Sequence, residues 1–322
     1  MQLTHSTPQR KRERTMKVLL AGASGLLGGK ITRELRAAGH QVTGLGRGAG
    51  NTVRADLLDR TAVLRAVDGL SFDVVVHAAT ALQGRTMMRH QDMAATNLLR
   101  SEGTPNLIAA ARETGARRIV VESMMFGYGY GDHGDRPLTE DRDAFAPAQP
   151  NAWLERHVGA MRTKEELAFT ADGIEAVSLR FGMFYGAGVT ETTVLPMLRK
   201  RALPVVADQG RALSWVDADD AARAVTAAIE GGRAGEAYNI ADDTPLGFSA
   251  HIRAVADAFG TPTPRTVPLW LLRPAPLAHT IMSTNLRLAN DKARSELGWA
   301  PTHASSVDGL NALAAAAAPQ AA

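Results

Sequence analysis

The segment Gly22-Ala23-Ser24-Gly25-Leu26-Leu27-Gly28 constrains this chain more than any other. It follows Val18-Leu19-Leu20-Ala21, an apolar run too short for a helix and ended by glycine, which reads as a buried strand. It precedes Ile31 to Ala38, where apolar residues recur at helical spacing until Gly39 stops them. A strand that turns through glycines into a helix builds an anion site. The glycines allow a tight turn and close backbone approach, and the helix N-terminus offers free N–H groups and positive dipole. Following a strand near the start of the ordered chain, this arrangement fits the pyrophosphate of a dinucleotide.

Further strands are expected at Gln41 to Leu45, Phe72 to His77, Arg118 to Glu122 and Ala176 to Arg180, with helical stretches between them. Ala212 to Val216 and Ala237 to Ile240 read as later ones. Strands alternating with helices give an α/β fold, a Rossmann-type doubly wound parallel sheet, whose ligands bind beyond the carboxyl ends of the strands. Pro/Leu-rich pieces, Val194 to Val206 and Thr261 to Ala278, suit a smaller C-terminal substrate-binding region. The expected division is a disordered tail over 1–15, a dinucleotide-binding domain over 16–185, and a mainly substrate-binding region over 186–322, with 211–241 returning to the sheet.

Composition removes several classes of function. The chain has no cysteine, so disulfides, thiolate metal sites and cysteine nucleophiles are excluded, and no metal is assigned. No apolar run reaches about 18 residues, so no membrane helix is expected. The net charge is +3, and the one dense basic cluster, Arg10 to Arg14, lies in the polar tail, so nucleic acid is not an expected partner. The tail lacks an apolar signal-peptide core. A soluble cytoplasmic protein is expected, with a small hydrophobic substrate and a homodimer as its partners.

The spacing GxxGxxG resembles the short-chain dehydrogenase/reductase superfamily. Other segments resemble its extended, epimerase/dehydratase-like branch: Asp56-Leu57, Val76-His77-Ala78-Ala79, Asn97 with Gly103-Thr104, Leu179 to Gly182 with Tyr185-Gly186, Val216-Asp217, and Glu296 to Trp299 with Pro301. The resemblance implies that Gly22, Ser24, Gly25, Leu26, Leu27 and Gly28 hold the pyrophosphate and Asp56 and Leu57 the adenine. It places Ala78, Ala79, Thr80 and Asn97 along the cofactor, and Phe181 and Phe184 at the nicotinamide. NAD-preferring relatives carry a carboxylate at the end of the second strand. Here the run is Gly44-Leu45-Gly46-Arg47, with no carboxylate to repel a 2′-phosphate and with the donor fork of Arg47 to hold it, so NADP(H) is expected.

The family's acid–base set is incomplete. It consists of a tyrosine four residues before a lysine on one helix, and a serine or threonine at the end of the fourth strand. Lys164 fits the lysine, but the position four before it is Ala160, and no tyrosine in the chain has a lysine four residues later. Anchored on Tyr128-Gly129, the hydroxyl position is Met124, with Ser123 one place earlier. Lys164 and Ser123 are therefore the catalytic candidates, Lys164 also holding ribose. Tyr128, Tyr130, His133, His157 and Tyr185 are other donors to weigh. Met124, Met125, Phe126 and Tyr185 are expected against substrate. A positioned acid contributes about 10²–10⁴-fold, so its loss has three readings. Another side chain donates, the protein is a catalytically silent NADP-binding sensor, or the substrate brings its own acid. A phenol beside an aromatic ketone is such an acid. The expectation is an NADPH-dependent ketoreductase of hydrophobic hydroxy-aryl ketones, which occur in polyketide antibiotic pathways.

Overall fold

The computed structural model describes residues 15–82 and 87–317. Seven parallel strands form the central sheet: β1 (Lys17–Ala21), β2 (Gln41–Gly46), β3 (Val53–Arg54), β4 (Val74–His77), β5 (Arg118–Met124), β6 (Glu175–Phe181) and, late in the chain, β10 (Glu236–Ile240). Their order is β10-β6-β5-β4-β1-β2-β3. The order reverses between β1 and β4, and a crevice opens beyond their carboxyl ends.

Apolar residues on both faces of each strand require cover on both sides. One face packs Val18, Val76, Val120 and Leu179 against Ile31 and Leu35 of α1 (Leu26–Ala37) and Val225 and Ala228 of α7 (Ala218–Gly231). The other packs Leu19, Val75, Ile119 and Val121 against Val63 of α2 (Arg60–Val67), Leu107 of α4 (Thr104–Glu113) and Ala168 of α5 (Ala152–Phe169). Helix α3 (Ala94–Leu98) enters α4 through one π-helical turn, Leu99–Gly103.

The cap holds two short parallel pairs, β7 (Met183–Tyr185) with β9 (Trp215–Asp217), and β8 (Val205–Val206) with β11 (Thr266–Val267). Around them lie α6 (Leu195–Arg199), α8 (Phe248–Ala258), α9 (Pro276–Ser283), α10 (Asp291–Leu297) and α11 (Ser306–Ala317). The Pro-rich stretch is more regular than expected, because Pro276 opens α9 in the first turn, where its missing N–H costs no hydrogen bond. Trp299 is buried, and its indole N–H donates to the Asp220 carbonyl at 2.9 Å.

One strand assignment is corrected. Ala212 to Val216 does not join the main sheet: Trp215–Asp217 pairs with β7, and of the stretch 211–241 only Glu236–Ile240 supplies a sheet strand. The chain peels away after β6 because Gly182 brings its backbone against residue 214; a Cβ there would lie 2.7 Å from the Ser214 carbonyl oxygen. The first helix begins earlier than its apolar spacing suggested, at Leu26, and β5 runs two residues further, to Met124. Apart from Thr15, the tail over 1–15 lies outside the described residues, as do 318–322. Among the described residues no helix is long and apolar enough to cross a membrane.

Candidate active site

The glycine turn closes on the crevice. Gly22 has φ +91°, and a Cβ there would stand 2.6 Å from the Ala78 carbonyl oxygen; at Gly28 a Cβ would stand 2.0 Å from the oxygen of Gly22. Side chains are therefore excluded where the first and fourth strands end. Gly25 caps α1 without a side-chain hydrogen bond, so the first N–H groups of the helix remain free for an anion. Ser24 and Leu26 are exposed beside them, and Leu27 is half-buried. Gly188, in the cap, reaches over this turn: a Cβ there would lie 3.3 Å from Leu26 Cδ1. Ala78 is buried, Ala79 half-buried and Thr80 exposed along the same edge. These residues fit the pyrophosphate and backbone of a dinucleotide.

At the end of β2, Arg47 is largely exposed and stands 3.8 Å from Asp56. Asp56 accepts from the Leu58 N–H at 3.1 Å, and the Leu57 carbonyl accepts from Asn106 Nδ2 at 2.8 Å, so this pair is braced from α4.

Beyond β4 and β5 lies a buried ionic cluster that the sequence reading did not contain. Lys164 has no exposed surface; its Nζ donates to Glu122 Oε2 at 3.1 Å and to the His77 carbonyl at 3.2 Å. Arg100, on the π-turn, stands 3.9 Å from Glu122. Burial pulls the Lys164 ammonium down to about 8, Glu122 opposing and Arg100 assisting. Burial alone would raise Glu122, but Lys164 and Arg100 hold it below the usual carboxylate range. His77 is driven well below its ordinary value by burial and by Lys164. Lys164 is thus a correction: a sealed ammonium committed to Glu122 presents no surface to a ribose or a substrate. Ser123 is equally enclosed, and among the described residues its Oγ has no hydrogen-bond partner.

The spacing expected of tyrosine and lysine recurs elsewhere on α5, as His157 and Met161, both buried. His157 Nδ1 accepts from Asn97 Nδ2 at 3.0 Å, and its Nε2 lies 3.0 Å from His90 Nδ1. Burial lowers His157 to about 4, with His90 and Arg100 adding to it. It is a neutral imidazole with both nitrogens engaged.

The expected lining divides by depth. Met124 and Phe184 are half-buried, packed against the core cluster but not enclosed by it. Met125, Phe181 and Tyr185 are at most 1% exposed, so they back the site rather than line it, a correction to all three. Tyr185 is held inside the cap: its hydroxyl donates to Asp242 Oδ2 at 2.8 Å, and a Cβ at Gly309 would meet it at 2.5 Å. Phe126 is buried and stacks on Tyr130 at 4.8 Å. Tyr128 donates to Asn239 Oδ1 and accepts from Arg180 Nη1; burial raises its pKa to about 12. Arg180 also grips Glu165 through Nε and Nη2 at 3.0 and 2.7 Å and lies over Phe145 at 3.9 Å. His133 Nε2 closes its own loop on the Gly129 carbonyl at 3.1 Å.

Comparison with known proteins places this arrangement. The family described as "NAD dependent epimerase/dehydratase family" matches residues 18–241. The chain belongs to that family. This epimerase/dehydratase-family chain is 37% identical over 308 residues to a 3-diazoavenalumate denitrifying reductase from Streptomyces sp, covering 92% of this chain and 99% of the relative. It is 31% identical over 273 residues to a 2-alkyl-3-oxoalkanoate reductase from Stenotrophomonas maltophilia, covering 77% of each. The fold matches a dTDP-glucose 4,6-dehydratase from Streptomyces venezuelae solved with NAD, at TM-score 0.71 and 21% identity over 93% of this chain and 96% of that one. It also matches RMD from Pseudomonas aeruginosa solved with NADPH, at TM-score 0.70 and 20% identity over 94% and 98%. The family and its reductase members support an oxidoreductase with a nicotinamide cofactor.

Proposed function

We propose that the chain is an NADPH-dependent ketoreductase of a hydrophobic, polyketide-type hydroxy-aryl ketone in antibiotic biosynthesis, acting without the family's tyrosine and serine donors. The observation that carries this reading is the site's acid–base inventory. Met124 stands at the strand end, Ala160 stands four residues before Lys164, and Lys164 is sealed by Glu122. Reduced nicotinamide, when bound in the crevice, supplies hydride. The substrate's own phenol polarises the carbonyl and protonates the oxygen as it becomes an alkoxide, leaving the weaker base phenolate. The protein's part is to orient a flat apolar molecule beside Met124 and Phe184. The absence of a carboxylate at the end of β2, with Arg47 exposed there, supports NADPH.

The test compares a hydroxy-aryl ketone with its methyl ether by NADPH absorbance. The ether should turn over about 10²–10⁴-fold more slowly. Similar rates in the same binding pose would overturn substrate assistance. NADPH binding without oxidation by any ketone would favour a silent sensor.

One observation favours a second reading, the 37% identity to a denitrifying reductase. Hydride that replaces dinitrogen on an aryl diazonium carbon gives an arene and N₂ and needs no acid at all, which suits the same missing donors. Gas release with arene as product, in place of an alcohol, would select it.

A further inference from the structure

Among the described residues, three buried side-chain atoms near the ionic cluster lack a hydrogen-bond partner: Arg100 Nε, Asn97 Oδ1 and Ser123 Oγ. Asn97 and Arg100 lie one turn apart, on α3 and the π-turn; Asn97 holds His157 and Arg100 faces Glu122. Tyr130 stands beside His157. Its ring stacks on Phe126 and meets His157 edge-on at 6.4 Å. The ring packs against the apolar cluster of Met93, Met125 and Met161, with Met124 at its edge. Yet Tyr130 is only half-buried, and among the described residues its hydroxyl has no hydrogen-bond partner. Burial raises its pKa while the field of Arg100 works the other way, so the O–H stays protonated near a cation.

The charges around it do not cancel. Lys164 and Arg100 face one carboxylate, Glu122. Glu165 is taken by Arg180, and His77 and His157 are held neutral by burial. A buried surplus cation with a guanidinium N–H that has no partner among the described residues, beside a half-buried hydroxyl that also has none, suits an anion that is not part of the protein.

We propose that Tyr130 and Arg100 form an oxyanion site, in which the Tyr130 O–H donates to the substrate oxygen that turns negative on reduction and Arg100 supplies the charge behind it. The inference rests on the ketoreductase reading and gives the protein's share of it. With hydride supplied by the reduced nicotinamide, which would be oxidised to NADP⁺, a C–H bond forms at the ketone carbon and the carbonyl π pair moves to oxygen. The phenol's proton then moves to that oxygen, and the charge ends on phenolate. Tyr130 and Arg100 hold that charge without giving up a proton, and the released phenolate is reprotonated by water. Neither residue occupies the tyrosine, lysine or serine position of the family pattern.

The experiment titrates 2-acetyl-1-naphthol, whose ionised form absorbs at longer wavelength, bound to the full chain with NADP⁺. The bound naphthol should ionise at least about tenfold more readily than the free compound. Tyr130→Phe and Arg100→Met should each remove most of that gain. Tyr130→Phe keeps the ring stack and breaks no protein hydrogen bond, and Arg100→Met leaves the Lys164–Glu122 pair intact. If circular dichroism shows one variant misfolded, the other decides. On the ketone, Tyr130→Phe should lower kcat rather than raise KM. A naphthol that binds but ionises as in free solution, or is shifted equally in wild type and variants, would overturn the oxyanion site alone. A naphthol that neither binds nor is reduced would overturn the ketoreductase reading with it.

Discussion

The two halves of the crevice treat the family pattern differently. On the β1–β2 side, recognition is made by backbone: the glycine turn, the uncapped start of α1 and the carbonyl of Ala78. A side chain at Gly22 or Gly28 would clash with backbone there, and the family spacing is intact. On the β5–α5 side, recognition and chemistry depend on side chains, and the expected tyrosine and serine are absent. Glu122, Arg100, Lys164 and a histidine pair stand in that region. A backbone site is held by sterics, whereas a side-chain site can be rebuilt while the strand and helix that carry it stay in place.

The contrast breaks most visibly at Glu122. Glu122→Gln leaves Lys164 and Arg100 buried without a counter-charge, and stability should fall by about 3–5 kcal/mol in urea unfolding. Lys164→Met should cost less, because Arg100 still neutralises Glu122. The reverse ranking would mean that Arg100 takes no part in the cluster.

A smaller effect comes from acid. His157 titrates at about 4 in the fold against an ordinary 6.5, so between those values the unfolded chain binds more protons. Stability should therefore fall as pH drops through that window, by on the order of 3 kcal/mol from this group. His251, lowered by burial to about 3, steepens the same slope. Denaturant unfolding from pH 7 to 4 measures it, and His157→Asn should flatten it. An unchanged slope in that variant would place the acid sensitivity elsewhere.

The smallest effect sharpens the backbone half. Arg47→Ala should weaken NADP by roughly ten- to hundredfold and leave NAD nearly unchanged, as read by fluorescence titration. Equal losses for both would show that Arg47 does not meet the 2′-phosphate.

Legibility followed the same division. The glycine turn could be read because its physics is local: strand, turn and helix are adjacent in sequence. The parallel sheet followed from strand–helix alternation. The sequence puts Lys164 on the right helix but does not give its depth, because nothing in Ala160 to Leu167 says that Glu122, from another element, reaches its ammonium. Taking Lys164 as the anchor also put Ala160 in the tyrosine's place, while the same spacing at His157 and Met161 carried no familiar residue type. Arg100 was hidden by the π-turn, which shifts helical register in a way that periodicity does not report. Tyr185 read as a rim aromatic because its partners, Asp242 and Gly309, arrive from distant segments.

Arg180 bears on how such a protein could be altered. It clamps the turn that carries Tyr128 from behind, through Glu165, the Tyr128 hydroxyl and the face of Phe145. The front of that wall, Met124, contributes nothing to the clamp. On the ketoreductase proposal, residue 124 is therefore a dial for laboratory evolution: exchanging it for smaller or polar residues should change which molecules are accepted, while the frame that aims them stays bolted.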